Sequence, residues 1–216
     1  MRLYKKLYKL IGPAPNKLCN DVRIELSNID WADKKYSRFE KTLQNGKLIE
    51  MPYKLSHSNV LSKDDQLAQI TQILVNWINL QDGLDAFEPV RGEIASLLPG
   101  VELGAHKDRR WFHANARRMH IPLITNDNAW HSGYILKWGE GIELAEKYHM
   151  PIDTLYELNN VDWHQAGNHG DAPRVHLIVD FMPKGFLAKR MDEGKLPSER
   201  APINVFAEWI SNLEET

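Results

Sequence analysis

One cysteine, Cys19, is all that the 216 residues contain, so no internal disulfide can form. That excludes the disulfide-stapled secreted domains and points to a reducing compartment, the cytoplasm being the simplest. Also missing is any apolar run long enough to cross a bilayer as a helix. Neither sign of charge dominates. With 27 Lys and Arg against 29 Asp and Glu, the chain has no bulk field to gather nucleic acid or anionic membrane. Repeats and low-complexity linkers are lacking as well. The basic, apolar stretch from Met1 to Ile11 has neither a continuous apolar core nor a small-residue cleavage site, which argues against a secretory signal; it reads as an edge strand or short helix, with a transit peptide as the lesser alternative.

What is present suits a single domain over 1–216, since a hydrophobic fraction of 43% is ample for one core. Periodicity divides it into an N-terminal mixed and helical part (1–89), a strand-rich core (90–183) and a C-terminal helical extension (184–216). Ser62 with Asp65 forms an N-terminal capping pattern ahead of Leu67, Ile70, Ile73, Leu74, Trp77 and Ile78, which share one helical face. That helix should end near Asp82-Gly83, and Trp31 to Leu43 is expected to be helical too. Eight short strands follow: Glu93–Leu98, Glu102–Lys107, Arg118–Thr125, Ser132–Lys137, Ile142–Glu146, Thr154–Leu158, Trp163–Ala166 and Arg174–Phe181. Turn residues separate most of them, among them Pro99-Gly100, Asn126-Asp127-Asn128 and Asn168-His169-Gly170. Short strands without long intervening helices predict a mainly β, cupin-like jelly roll with flanking helices. Pro202 opens a closing helix striped with Phe206, Trp209, Ile210 and Leu213.

Residues two apart on a strand point the same way, with alpha carbons roughly 6.5–7 Å apart, so His106 and Asp108 can reach one ion. On a helix that spacing would separate them. His-x-Asp alone is a weak signal, equally a solvated charge pair beside the Pro99-Gly100 turn. His164 adds a second imidazole. Two imidazoles and a carboxylate can cover one face of an octahedral metal and leave the other open, as in non-heme Fe(II) oxygenases. Arg174, ten residues after His164, is a permanent cation suited to a two-point contact with a dicarboxylate. Arg118 and His120 alternate with Met119, Ile121 and Leu123, as Arg174, His176 and Ile178 do with Val175, Leu177 and Val179. Two strands spelling Arg-x-His fit a polar lumen for one small ligand, its outer wall covered by helices.

His113, His131, His149 and His169 fall in or near predicted loops and take no role. Trp111, Trp130 and Trp138 are read as core or rim packing. Arg109, Arg110 and Arg117 lie close enough in sequence to receive a substrate carboxylate, although solvated surface is the ordinary use of such arginines. At this level an oxygenase, a non-catalytic small-anion binding protein of the cupin kind, and a metal-dependent isomerase or lyase all remain open.

The ordered set Leu98-Pro99-Gly100, His106-x-Asp108, Arg118-Met119-His120-Ile121-Pro122-Leu123, Asn159-Asn160, His164 and Arg174-Val175-His176-Leu177-Ile178-x-Asp180 resembles the aspartyl/asparaginyl β-hydroxylase family. That family belongs to the Fe(II)/2-oxoglutarate-dependent dioxygenases and includes free-proline hydroxylases. The resemblance spans roughly Glu93 to Pro183 and implies a double-stranded β-helix. It implies His106, Asp108 and His164 as iron ligands, with Arg174 on the distal carboxylate of 2-oxoglutarate. Arg118 and His120 would contact that cosubstrate nearer the metal. The implied reaction uses O2 to hydroxylate an unactivated C–H bond of an amino acid or amino-acid-like small molecule, releasing succinate and CO2. Peptidyl Asp or Asn side chains are the alternative substrates. Neither nucleic acid nor membrane is an implied partner. Animal peptidyl hydroxylases of the family lack the acidic ligand that Asp108 supplies here. They also use a serine near position 95, where this chain has Ala95 with Ser96 beside it. Halogenating relatives need a small residue at position 108, so Asp108 points to hydroxylation.

Overall fold

Polar and apolar residues alternate along the two central strands, and that alternation determines the architecture. The computed structural model describes residues 8–27, 46–51, 66–108, 116–137, 141–144 and 147–186. Its elements run β1 (Tyr8–Pro13), α1 (Asn16–Leu26), β2 (Gly46–Met51), α2 (Gln66–Ile78), a 3-10 turn (Leu84–Ala86), β3 (Phe87–Leu97), β4 (Val101–His106), β5 (Arg117–Ile124), β6 (Ala129–Lys137), β7 (Gly141–Leu144), β8 (Thr154–Leu158), β9 (His164–Asn168) and β10 (Arg174–Pro183). A six-stranded sheet in the order β1-β8-β5-β10-β3-β2 faces a four-stranded sheet in the order β4-β9-β6-β7. The result is the mainly β jelly roll with flanking helices that the strand pattern predicts.

Register places Leu177 of β10 between Ile94 of β3 and Ile121 of β5, one apolar row across three strands. With Met119, Leu123, Val175 and Val179 these side chains are fully buried against Cys19, Val22 and Leu26 of α1 and Leu74, Val75 and Ile78 of α2. Burying a side chain of this size is worth about 1.5–3 kcal/mol, so this helix-covered face is the main core. The alternate residues Arg118, His120, His176 and Asp180 are buried on the opposite face, between the sheets. The polar lumen and helix-covered outer wall follow directly from this period of two.

Proline and glycine shape the strand ends that frame the site. Gly100 takes φ +77°, the left-handed conformation glycine allows cheaply, and turns β3 of the large sheet into β4 of the small one. Pro122 has no N–H for the ladder, and the β5–β10 register shifts beside it, between Val175 and His176. Asn168 is fully buried and donates to the carbonyls of Leu97 and Ala172, each at 2.8 Å. It thereby ties the end of β3 to the turn that launches β10.

Several boundaries differ from expectation. The N-terminal segment does form an edge strand over Tyr8–Pro13, paired with β8. α1 and β2 were not expected. β3 starts at Phe87 instead of Glu93, because its first half pairs with the end of β10 across a bulge at Asp180/Phe181 that accommodates Pro89. β6 starts three residues before Ser132, at Ala129, and β9 extends through Gly167 to Asn168. The Ser62–Asp65 cap, the Trp31–Leu43 helix and the helix expected from Pro202 lie outside the described residues. Among those residues no helix is long and apolar enough to cross a membrane.

Candidate active site

Antiparallel pairing sets His106, the last residue of β4, opposite His164, the first of β9, with ring centroids 4.3 Å apart. Asp108 follows two residues on. One donor atom from each of the three lies within 4.8 Å of the others. Each imidazole is oriented from behind: His106 Nδ1 donates to the Gly104 carbonyl at 2.8 Å and His164 Nδ1 to the Asp162 carbonyl at 2.9 Å. Both Nε2 lone pairs are therefore the ones presented, the backing expected of metal-ligating histidines. Burial pushes the His164 pKa down to about 4, which keeps that ring neutral and able to ligate. His106 Nε2 and Asp108 Oδ1 stand 4.0 Å apart, close but unbonded, as donors to a shared ion do. These three groups fit a divalent metal with open coordination positions.

Asp108 is held from two sides. Its N–H donates to the Asn160 carbonyl at 3.1 Å, and Asn160 Nδ2 lies 3.5 Å from Oδ2. Arg118 Nη1 donates to the same Oδ2. Arg118 is itself clasped by Asp180 through Nε at 2.7 Å and Nη2 at 2.9 Å. Burial opposes its charge, but Asp180 and Asp108 outweigh that and raise its pKa above the ordinary arginine value. The resemblance puts Arg118 against the cosubstrate; in the structure its guanidinium serves two carboxylates.

Arg174, the first residue of β10, lies at the other end of the lumen. Among the described residues it has no carboxylate partner; its nearest polar contact is His176 Nδ1, 3.3 Å from Nη2. Its side chain is partly accessible, yet enough protein crowds the guanidinium for burial to push its pKa down to about 10. On strand faces that line the lumen, several buried polar atoms have no hydrogen-bond partner among the described residues: Nε2 of His120, Nε2 of His176, both ring nitrogens of His131 and the Tyr148 hydroxyl. Burial, reinforced by neighbouring positive charge, lowers the pKa of all three histidines well below the ordinary value, so the rings are neutral. Leaving such a group unpaired costs about 1–3 kcal/mol, and several in one lumen mark a place where a polar ligand completes the bonding. A lone cation, neutral donors and a three-donor metal site suit an anion that reaches from one end to the other.

The lumen gathers His106, Asp108, His164, Arg118, His120 and Arg174. Other expectations need correction. His131, expected in or near a loop and given no role, lies on β6, is 4% exposed and sits 5.9 Å from the His164 ring, centroid to centroid. The Asn126-Asp127-Asn128 turn directly before Ala129 was the signal that could have placed it on a strand. Arg117 points to the opposite face, where it pairs with Glu157 and Asp82 and cannot serve a substrate in the lumen. Ala95 pairs with His176 on the lumen side, whereas Ser96 pairs with Val175 on the helix-covered side, so Ser96 does not occupy the place of the missing serine. Trp130 packs on Gly167 under Lys147, whose Nζ is 3.7 Å from the ring centroid, a rim position as expected. His149 contacts the Ala129 carbonyl and His169 the Glu102 carboxylate, both away from the triad. Asp180, Asn160 and Tyr148 were not singled out from the sequence as site residues. Arg109, Arg110, Trp111, His113 and Trp138 lie outside the described residues.

Facing antiparallel sheets with two histidines and an aspartate at one end of the space between them define a double-stranded β-helix protein of the metal-site type. The chain belongs to the aspartyl/asparaginyl beta-hydroxylase family, whose sequence profile matches residues 20–183. No curated relative matches its sequence. Its fold is similar to that of a prolyl-4-hydroxylase from Pseudomonas putida, at 15% identity over 84% of this chain and 95% of that one, with a TM-score of 0.53. It is also similar to SnoN, a non-heme alpha-ketoglutarate-dependent epimerase from nogalamycin biosynthesis, at 12% identity over 83% of this chain and 78% of that one, TM-score 0.55. HygX from Streptomyces hygroscopicus, solved with nickel and 2-oxoglutarate bound, shares 8% identity over 83% of this chain and 84% of its own, TM-score 0.55. At these identities the likeness is one of fold.

Proposed function

We propose that the protein is an Fe(II)- and 2-oxoglutarate-dependent dioxygenase that hydroxylates an unactivated C–H bond of an amino acid or amino-acid-like small molecule. The observation that carries this reading is the pairing of two features in one lumen: His106, Asp108 and His164 with donor atoms within 4.8 Å of one another, and Arg174 without a carboxylate partner among the described residues. His106 and His164 would hold the metal through Nε2 and Asp108 through Oδ1. Bound iron with 2-oxoglutarate supplies the activation of O2, one oxygen atom entering the substrate C–H bond and the other the succinate formed as CO2 leaves. Arg174 would take the distal carboxylate by the planar two-point contact that guanidinium allows. Arg118, braced by Asp180, keeps Asp108 turned toward the metal position. His120 and His176, neutral and buried, line the path between the two ends without adding charge. Asp108 also fills the coordination position that a halide would need, which favours hydroxylation. The matched family supports an amino acid, free or as a residue side chain, as the substrate class.

The test is to supply purified protein with Fe(II), 2-oxoglutarate and O2, and to screen free amino acids and short Asp- or Asn-containing peptides. The expected result is succinate formation matched by a product heavier by one oxygen atom. Failure to bind or consume 2-oxoglutarate would sink the proposal and leave a small-anion binding protein. Turnover under strict anaerobiosis would reveal an isomerase or lyase. Turnover on peptides alone would move the substrate class to peptidyl side chains.

A further inference from the structure

His131 is buried to 4% exposure, and among the described residues neither its ring nitrogens nor the buried Tyr148 hydroxyl beside it has a hydrogen-bond partner. Neither residue belongs to the motifs that resemble the family's. Their positions are fixed by the backbone: His131 N donates to Tyr148 O and Tyr148 N to His131 O, both at 2.9 Å. Residues opposed in this way share a sheet face, and here it is the lumen face, because His131 also pairs with Ala166, two residues from His164 on β9. The Tyr148 ring stacks on Tyr8 of β1 at 3.8 Å, so its direction is set from the large sheet as well. Burial raises the phenol pKa above its usual value, which keeps the hydroxyl a donor. The charge of Arg174 acts on Tyr148 and His131 alike, and His131 also feels His164 and His106. The His131 ring lies 5.9 Å from that of His164, centroid to centroid, so His131 marks the metal-binding end of the small-sheet wall and Tyr148, bridged to it, continues that wall toward Tyr8 of the large sheet.

We infer that His131 and Tyr148 are ligand-binding residues of this lumen. The Tyr148 hydroxyl donates to the same carboxylate that Arg174 holds, and the His131 ring, beside His164, donates an N–H to the carboxylate at the metal-binding end of the ligand. The polar atoms without a partner among the described residues, Nε2 of His120 and of His176, the His131 ring nitrogens and the Tyr148 hydroxyl, then face one molecule approached by both sheets. The inference rests on the proposed 2-oxoglutarate site and adds the small-sheet half of it.

Tyr148→Phe removes one oxygen and leaves the stack on Tyr8 intact. Calorimetric titration of the Mn(II)-loaded protein with 2-oxoglutarate, and separately with pyruvate, distinguishes a ligand contact from a structural role. Pyruvate keeps the 2-oxoacid end and lacks the distal carboxylate. The phenylalanine variant should bind 2-oxoglutarate roughly ten- to a hundred-fold more weakly, the usual loss for a hydrogen bond to a charged group. Its pyruvate affinity should match that of the parent. His131→Leu should weaken 2-oxoglutarate binding, with His131→Gln, which keeps an N–H donor, losing less. Parent-like 2-oxoglutarate affinity in Tyr148→Phe and His131→Leu overturns the inference, as does an equal loss for pyruvate in Tyr148→Phe. Arg174→Ala, run alongside, separates the two readings. If it alone loses 2-oxoglutarate, only the role of the small-sheet wall fails. If it also binds like the parent, the cosubstrate site itself has been misplaced.

Discussion

Arg174 and Arg118 share a lumen and a charge, but their surroundings give them different work. Arg118 is neutralised by Asp180 and Asp108, whereas Arg174 has no carboxylate among the described residues. Truncating one partner of a buried ion pair costs about 2–5 kcal/mol of binding, so Arg174→Ala should weaken 2-oxoglutarate binding tens-fold to thousands-fold. Metal affinity, read by Mn(II) titration, should be unchanged. Lysine at 174 should restore only part of the affinity, because a point charge cannot reproduce the planar two-point contact. Parent-like 2-oxoglutarate affinity in Arg174→Ala would remove the residue from the site. Asp180→Ala should act in the opposite sense. Asp180 and Arg118 are buried to 1% and 6% exposure, so the change leaves a buried cation with Asp108 as its one remaining carboxylate among the described hydrogen bonds and should cost about 3–5 kcal/mol of stability. It should also weaken metal binding, since Asp108 loses its braced partner. A denaturation midpoint equal to the parent's would show that the Arg118–Asp180 clasp is unimportant.

At the scale of elements, Asn168 is the junction on which the geometry of the site depends. Its amide bonds the Leu97 and Ala172 carbonyls while its oxygen accepts from Asn126 Nδ2 at 3.0 Å. Asn168→Ala takes the donor from the buried Leu97 carbonyl, at about 1–3 kcal/mol, and leaves the Ala172 carbonyl with Asn126 Nδ2 at 3.3 Å. The expected observation is a lower denaturant midpoint with an unchanged slope; an unaltered midpoint would refute the role. This junction also marks how far the sequence could be read. β4, β5, β10 and α2 were legible because a period of two or of 3.6 separates their faces without ambiguity. α1 was not: its first turn has no acidic residue, no side chain caps it, and Ile24 is 55% exposed, which blurs the apolar stripe of Cys19, Val22 and Leu26. His106, Asp108, His164 and Arg174 could be read as a set because strand alternation brings the first two together and antiparallel return brings in the others. The clasp of Arg118 by Asp180 could not, since it depends on the pairing of β5 with β10. Tyr148 joins the small sheet by one isolated bridge and has no strand signature around it.

For the molecule as a whole, enclosing so many imidazoles sets how it should respond to acid. His120, His131 and His176 are neutral and have pKa values well below the ordinary one, and burial brings His164 to about 4. In the unfolded chain each returns to a pKa of about 6.5. Below that value the unfolded state binds protons that the folded state refuses, so stability is fully present above the unfolded pKa and falls as the pH drops toward the folded values. Each such group costs about 1.4 kcal/mol between roughly pH 7.5 and 5.5, which makes ~5.5 kcal/mol for the four together, before carboxylates begin to titrate. Denaturant unfolding of the metal-free protein across that range should show this loss as a falling midpoint. His131→Gln should recover about a quarter of the pH dependence, because one of the four imidazoles no longer titrates. The sign follows from where the histidines lie: had these rings been on the surface or paired with carboxylates, acid would leave stability unchanged or increase it. A midpoint that stays flat across the range would mean that the lumen admits protons and water freely, and that the dry, neutral interior inferred from its unpartnered nitrogens does not exist in solution.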